Sequence, residues 1–290
     1  MLRQHTSLLF RLAGRFMALA SIATAAACAI PGPQAAETEA QAKISRQSLM
    51  LSNGSSLSYL IAGSPAGNTV IFVHGTPGHA MGWADYLLNV PAGFRFIAID
   101  RPGFGESGPD GAETSLAVQA QAIAELIKSL GDSRVALVGH SLGGPIVVKT
   151  AADHPDLVTG LVVLAGSLDP DQEDVPFLQF VGDTWPVSAL LPRGIRNANR
   201  EIIALKPQLE ELRKHLPGIR VPVMIVHGTK DDLVPFANVA YMKANMSGST
   251  DMQIATLTDQ NHFLPWNSKP QVDQAISKLF PVAVTSGQPR

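Results

Sequence analysis

The 290-residue chain has a single cysteine, Cys28, so no intrachain disulfide can form. It has no C-x-x-C pair and no H-E-x-x-H helix, and with them the usual zinc signatures are missing. Charge is sparse at 16%, and the formal net charge is -2. That balance provides neither a basic patch for nucleic acid nor an acidic tail. No internal repeat is visible, and low complexity is confined to the N-terminus. What the chain does have is apolar content, 46%, enough for a large buried core and too much for disorder. Its length fits one α/β domain of about 250 residues behind a leader.

Residues 1–30 read as a targeting segment. Arg3, Arg11 and Arg15 precede an uncharged, Ala-rich stretch over 16–30, which is short for a membrane span. The stretch holds the small residues Ala25-Ala26-Ala27 directly before Cys28. This arrangement resembles the lipobox of bacterial lipoproteins, except that Ala25 stands where leucine is preferred. Three fates fit: acylation at Cys28, cleavage at an A-x-A site, or retention as an uncleaved anchor. Each places the chain outside the cytoplasm, in the periplasm or cell envelope, and two of them attach it to a membrane through its N-terminus. Residues 31–42, rich in Pro, Ala, Gln and Glu, read as a linker to a domain over 43–290.

Beyond the linker, segments 46–51 and 57–61 flank Asn53-Gly54, a hairpin-turn signal. Continuous apolar runs then recur at 69–74, 94–99, 135–138, 161–164 and 221–226. Short runs apolar on both faces suit parallel strands covered by helices on both sides. Helical periodicity falls between them: 115–130 places Leu116, Ile123, Leu126, Ile127 and Leu130 on one face, with Gly131 as a stop. Segments 143–154, 237–246 and 270–279 are further helices, and 252–257 reads as a last strand. The alternation predicts an α/β sheet. It breaks at about 167–218, which has no strand-like run and reads as two or three short helices inserted on top of the sheet.

Gly139, Ser141 and Gly143 form G-x-S-x-G. The pentad alone is a weak signal, but it follows an apolar strand and opens an Ala- and Val-rich helix, the context that gives it meaning. A sharp strand-to-helix turn strains the serine backbone and exposes its hydroxyl, while the helix N-terminus favours negative charge beside it. A serine hydroxyl needs a base with a pKa near neutrality, and the base needs a carboxylate to fix its tautomer. Asp231 and Asp232 follow the run 221–226, and His262 follows 252–257.

The segments HGTPG (74–78), DRPGFGES (100–107), GHSLGG (139–144), HGTKDDLVP (227–235) and NHFLPW (261–266) stand in the order of the α/β-hydrolase superfamily, and the chain resembles that superfamily from Arg46 to Leu279. The resemblance implies an eight-stranded, mostly parallel sheet flanked by helices, with a small helical cap after strand six, where 167–218 falls. It implies a Ser141–Asp231–His262 triad with Asp169 as the alternative acid. It also implies an oxyanion hole from the Thr76 and Leu142 backbone N–H groups, and no cofactor. The reaction expected is hydrolysis of a small, apolar carboxylic ester through an acyl-enzyme. C–C bond hydrolysis, aminopeptidase action and cofactor-free perhydrolysis are alternatives on the same triad, and a non-catalytic binding protein is the alternative of another class. His74, His140 and His227 are expected to pack and hydrogen-bond, and Asp100 and Arg101 to order a loop beside the site. Val175, Phe177, Leu178, Phe180, Val181, Trp185, Leu190 and Leu191 are expected to line an apolar pocket over Ser141 or to pack the cap onto the sheet.

The lipobox resemblance generates a direct test. Acylation predicts that a metabolic palmitate analogue labels the expressed chain and that Cys28→Ala loses the label. An unlabelled wild-type chain eliminates that fate.

Overall fold

The computed structural model describes residues 44–280 apart from 133 and 134. The leader, the linker and Cys28 lie outside the described residues. Eight strands form one sheet: β1 (Ser45–Met50), β2 (Ser56–Gly63), β3 (Asn68–Val73), β4 (Phe94–Ile99), β5 (Val135–His140), β6 (Val158–Leu164), β7 (Val223–Gly228) and β8 (Met252–Leu257). Their order is β1-β2-β4-β3-β5-β6-β7-β8. The hairpin β1–β2 and the pair β2–β4 are antiparallel, and every later pair is parallel. This is the expected architecture.

Strand alternation explains the uninterrupted apolar runs. Ile71, Val73, Leu137, Leu161, Val163, Val223 and Ile225 enter one core. Their neighbours Val70, Phe72, Ala136, Val138, Val162, Leu164, Met224 and Val226 enter another on the opposite face. Helices α2 (Leu116–Ser129) and α3 (Gly143–Asp153) cover the first face with Ile123, Leu126, Ile127, Ile146 and Val147. Helix α1 (Ala84–Leu88) and the turn before it cover the second with Trp83, Tyr86 and Leu87, around Phe72. Ser115 caps α2 by accepting a hydrogen bond from Val118 N at 3.3 Å.

Between β6 and β7 lie α4 (Phe177–Asp183), α5 (Val187–Leu190) and α6 (Arg193–Arg213). The last is a 21-residue helix where the sequence suggests only short ones. Two features hide it. Pro207 sits inside it, where a proline usually reads as a stop. Its buried stripe is Asn197, Ala198, Glu201, Leu205, Leu209 and Leu212, so two polar residues interrupt the apolar period. The C-terminal leucines join the sheet core, and the N-terminal half reaches the loop after β4 through Asn197 and Glu201.

The apolar residues expected over the site are not core, and only Val175 and Leu191 among them are half-buried. Phe177, Trp185 and Leu190 are strongly exposed, and Leu178, Phe180 and Val181 are exposed as well. Helices of seven and four residues are too short to bury an apolar stripe, and α4 packs chiefly on α6. Helices α7 (Ala237–Asn245), α8 (Leu264–Asn267) and α9 (Lys269–Lys278) complete the described chain.

Candidate active site

Parallel strands deliver their C-terminal ends to one edge of the sheet, where loops after β3, β4, β5, β7 and β8 converge. Ser141 stands between β5 and α3 with φ at 55°, the left-handed region. For a non-glycine residue that conformation costs about 1–3 kcal/mol, and the surroundings must impose it. Ser141 N donates to Leu164 O at 3.0 Å, and its own carbonyl accepts from Gly144 N at 2.8 Å. A side chain at Gly143 would collide with the Val73 carbonyl. A Cβ on Gly75 would stand 2.8 Å from Ser141 Cβ and 3.3 Å from its hydroxyl. The loop after β3 can lie against the serine only because residue 75 has no side chain.

Thr76 follows that glycine, and Leu142 is the N-cap of α3. Among the described residues no acceptor takes the backbone N–H of either. Two free donors therefore lie at the positions flanking the serine, one of them at a helix N-terminus.

His262, in the loop after β8, holds Asp231 Oδ2 through Nδ1 at 2.8 Å. A carboxylate only accepts, so Nδ1 carries the proton and Nε2 keeps its lone pair. Asp231 Oδ1 accepts from Leu233 N at 3.0 Å and Val234 N at 2.7 Å. His227 Nε2 lies 3.4 Å from Asp231 Oδ2 and donates to Val234 O at 3.0 Å. Burial alone would raise the Asp231 carboxyl, but the bonds from His227 and His262 and from the Val234 N–H outweigh it, holding the group well below the usual carboxylate range. No hydrogen bond joins Ser141 Oγ to His262 among the described residues. Catalytic bonds of this kind are often long before substrate binds.

Asp169 is placed elsewhere. Its carboxylate accepts from Asp171 N at 3.1 Å as the cap of a short turn, and its backbone N–H donates to Asn238 Oδ1. Asp231, and not Asp169, holds His262.

The neighbouring histidines have structural partners. His140 Nε2 donates to the His262 carbonyl at 2.9 Å, and the two rings lie 4.8 Å apart. Burial, then the adjacent His262, pushes His140 down to about 3, so it is a neutral wedge behind His262. His74 Nε2 accepts from Arg101 N at 3.0 Å, which leaves Nδ1–H to donate to Gly75 O at 2.7 Å. Burial, then Arg101, holds His74 well below the ordinary histidine range. Phe263 and Trp266 form an apolar rim near His262 and His140, tied to the turn before α1 where Trp266 Nε1 donates to Gly82 O at 3.0 Å.

One residue escapes sequence reasoning. Glu201 of α6 is buried and pairs with Arg101, with Nη1–Oε1 at 2.6 Å and Nη2–Oε2 at 3.0 Å. Its carboxylate also accepts from Gln119 Nε2 at 2.8 Å and Thr76 Oγ1 at 2.5 Å. The only local signal is a carboxylate on the buried face of an amphipathic helix. Its partner lies 100 positions away.

The family model described as alpha/beta hydrolase fold matches residues 68–285. A 2-hydroxy-6-oxononadienedioate/2-hydroxy-6-oxononatrienedioate hydrolase of a Pseudomonas species is 24% identical over 254 residues, which is 73% of this chain and 88% of that protein. Among solved structures, the epoxide hydrolase CorEH aligns with a TM-score of 0.67 at 21% identity, covering 82% of this chain and 99% of that one. The esterase EaEST from Exiguobacterium antarcticum aligns with a TM-score of 0.66 at 21% identity, covering 80% and 98%. These two structures share the fold.

The depressed histidines set an acid limit on stability. As pH falls below 6.5, the unfolded chain takes up protons at His74 and His140 that the folded chain refuses, a window that for His140 reaches down to about 3. Stability is full above that window and falls within it, by up to about 1.4 kcal/mol per pH unit for each group. Asp231 adds its loss only as pH drops through the ordinary carboxylate range, near pH 4. Urea midpoints should decline steadily from pH 7 to 4.5, and less steeply in His140→Gln. Equal midpoints across that range would refute the assignment of neutral, buried histidines.

Proposed function

The chain belongs to the α/β hydrolase fold family, and we propose that within it the protein hydrolyses small carboxylic esters through an acyl-enzyme on Ser141. The observation that carries this reading is the His262–Asp231 bond at 2.8 Å, in the sheet-edge cluster that holds the strained serine. Asp231 fixes the tautomer of His262, leaving Nε2 to take the serine proton and later to pass it to the leaving alcohol. Ser141 Oγ attacks the carbonyl carbon, and the Thr76 and Leu142 N–H groups stabilise the oxyanion that forms. Water, activated by the same histidine, then releases the acid. The apolar rim of Phe263 and Trp266 supports an apolar acyl or alkyl group on the substrate. In this proposal the enzyme works outside the cytoplasm, on the strength of the N-terminal segment alone.

C–C hydrolysis is the second reading, favoured by the Pseudomonas relative, whose name specifies a dioate substrate. A dicarboxylate calls for unengaged cations near the nucleophile. Arg101 pairs with Glu201, Arg193 donates to the carbonyls of Gly105, Ser107 and Pro109, Arg196 pairs with Asp110, and Arg200 pairs with Asp183. With these four arginines engaged, an uncharged ester is the better match.

Ser141→Ala should abolish both turnover of p-nitrophenyl esters and covalent labelling by a fluorophosphonate, a loss of at least about 10³-fold in rate. Retained labelling would overturn the assignment of the nucleophile. Cleavage of a vinylogous 1,5-diketone dioate with no esterase activity would transfer the proposal to C–C hydrolysis.

A further inference from the structure

The oxyanion loop is held by three hydrogen bonds, two of them to the buried pair under the cap. Arg101 Nη2 donates to the Gly75 carbonyl at 3.0 Å, and His74 Nδ1 donates to that same oxygen at 2.7 Å. Thr76 Oγ1 donates to Glu201 Oε2 at 2.5 Å. The peptide between Gly75 and Thr76 carries the Gly75 carbonyl on one side and the Thr76 N–H on the other. Fixing the carbonyl oxygen therefore fixes where the N–H points. The threonine hydroxyl anchors the next Cα, so that peptide plane is held at both ends.

Glu201 is the one element of this device that comes from the cap. Arg101 and Glu201 side chains are 0% and 1% exposed. Helix α6 is also fastened to the loop after β4, where Asn197 Nδ2 donates to Gly103 O at 2.8 Å and Arg193 donates to four further carbonyls. A buried ion pair is a poor source of stability, because desolvation offsets most of its attraction. A leucine at 201 would extend the apolar stripe of α6 and satisfy packing alone. The carboxylate contributes something packing does not: two acceptor oxygens, one engaged by Arg101 and Gln119, the other by Arg101 and Thr76.

We propose that Glu201 is a positioning residue, holding Arg101 and Thr76 so that the Thr76 N–H is aimed at the oxyanion, and that the oxyanion hole is assembled only when the cap helix is seated. This rests on the reading of Ser141 as nucleophile and Thr76 N–H as oxyanion donor. Glu201 touches no reacting atom. Its effect passes through Thr76 and through Arg101 to Gly75, and it is felt in the maximal rate and not in substrate affinity.

The test follows fluorophosphonate labelling of Ser141 in the full-length enzyme, recording the maximal rate and the half-saturating probe concentration. Glu201→Gln and Thr76→Val should each lower the maximal rate at least about tenfold, with the half-saturating concentration changed less than twofold. Complete loss of one oxyanion donor costs about 10²–10³-fold. Thr76→Ser keeps the hydroxyl and should recover most of the rate that Thr76→Val loses. In the double variant Thr76→Val should cost less than it does alone, because the Thr76–Glu201 bond is one of the two routes by which Glu201 acts. Thr76→Val leaves the Arg101–Glu201 pair intact, so it remains informative even where Glu201→Gln impairs folding. If the wild type labels while both variants label within twofold of it, or if Thr76→Ser is as slow as Thr76→Val, the clamp is refuted and the nucleophile stands. If the wild type takes no label, the underlying reading fails and the clamp fails with it.

Discussion

The left-handed backbone at Ser141 is the constraint around which the rest of the site is arranged. A serine does not adopt φ of 55° by preference, and nothing in its own side chain compensates the strain. The sheet does so from outside. The residue sits at the end of a strand buried on both faces, hydrogen-bonded to Leu164 and Gly144, with the backbone of the β3 loop pressed against it. The two apolar cores make that frame stiff enough to hold a high-energy turn.

Electrostatic preparation of the site follows the same logic of buried groups held by specific partners. Asp231 remains a carboxylate despite desolvation because its oxygens receive two backbone N–H groups and face two imidazoles. His140 and His74 are kept neutral by burial and donate to single backbone carbonyls, so they steer loops without adding charge beside the nucleophile. The only charge pair sunk in the overlying layer, Arg101 with Glu201 among the described residues, lies where α6 meets the oxyanion loop. Removing one partner of such a pair typically costs about 3–5 kcal/mol, since the other is left uncompensated. The cap and the site are therefore energetically linked through a handful of atoms.

The apolar runs at 69–74 and 135–138 were readable as strands because both faces of the sheet are covered and alternation disappears. The glycine-bounded serine and its later partners were readable because tight turns admit few residue types and the acid and base follow later strands. Helix α6 was not, since Glu201 and Asn197 occupy its buried face and Pro207 its interior. Their partners, Arg101 and the Gly103 carbonyl, lie about a hundred positions earlier, and no local pattern encodes such a pairing. The same limit applies to Phe177, Trp185 and Leu190, whose apolar character suggested a cap packed onto the sheet. Phe177 and Leu190 lie in helices too short to bury an apolar stripe and Trp185 in the turn between them, and all three are exposed.

The central claim is geometric: Ser141 reacts, and the N–H groups of Thr76 and Leu142 receive the charge. A crystal structure of the fluorophosphonate-treated enzyme tests it most directly. The account predicts phosphorus bonded to Ser141 Oγ, with the phosphoryl oxygen roughly 2.7–3.1 Å from both Thr76 N and Leu142 N. An adduct on another residue, or a phosphoryl oxygen beyond hydrogen-bond reach of both N–H groups, would contradict it.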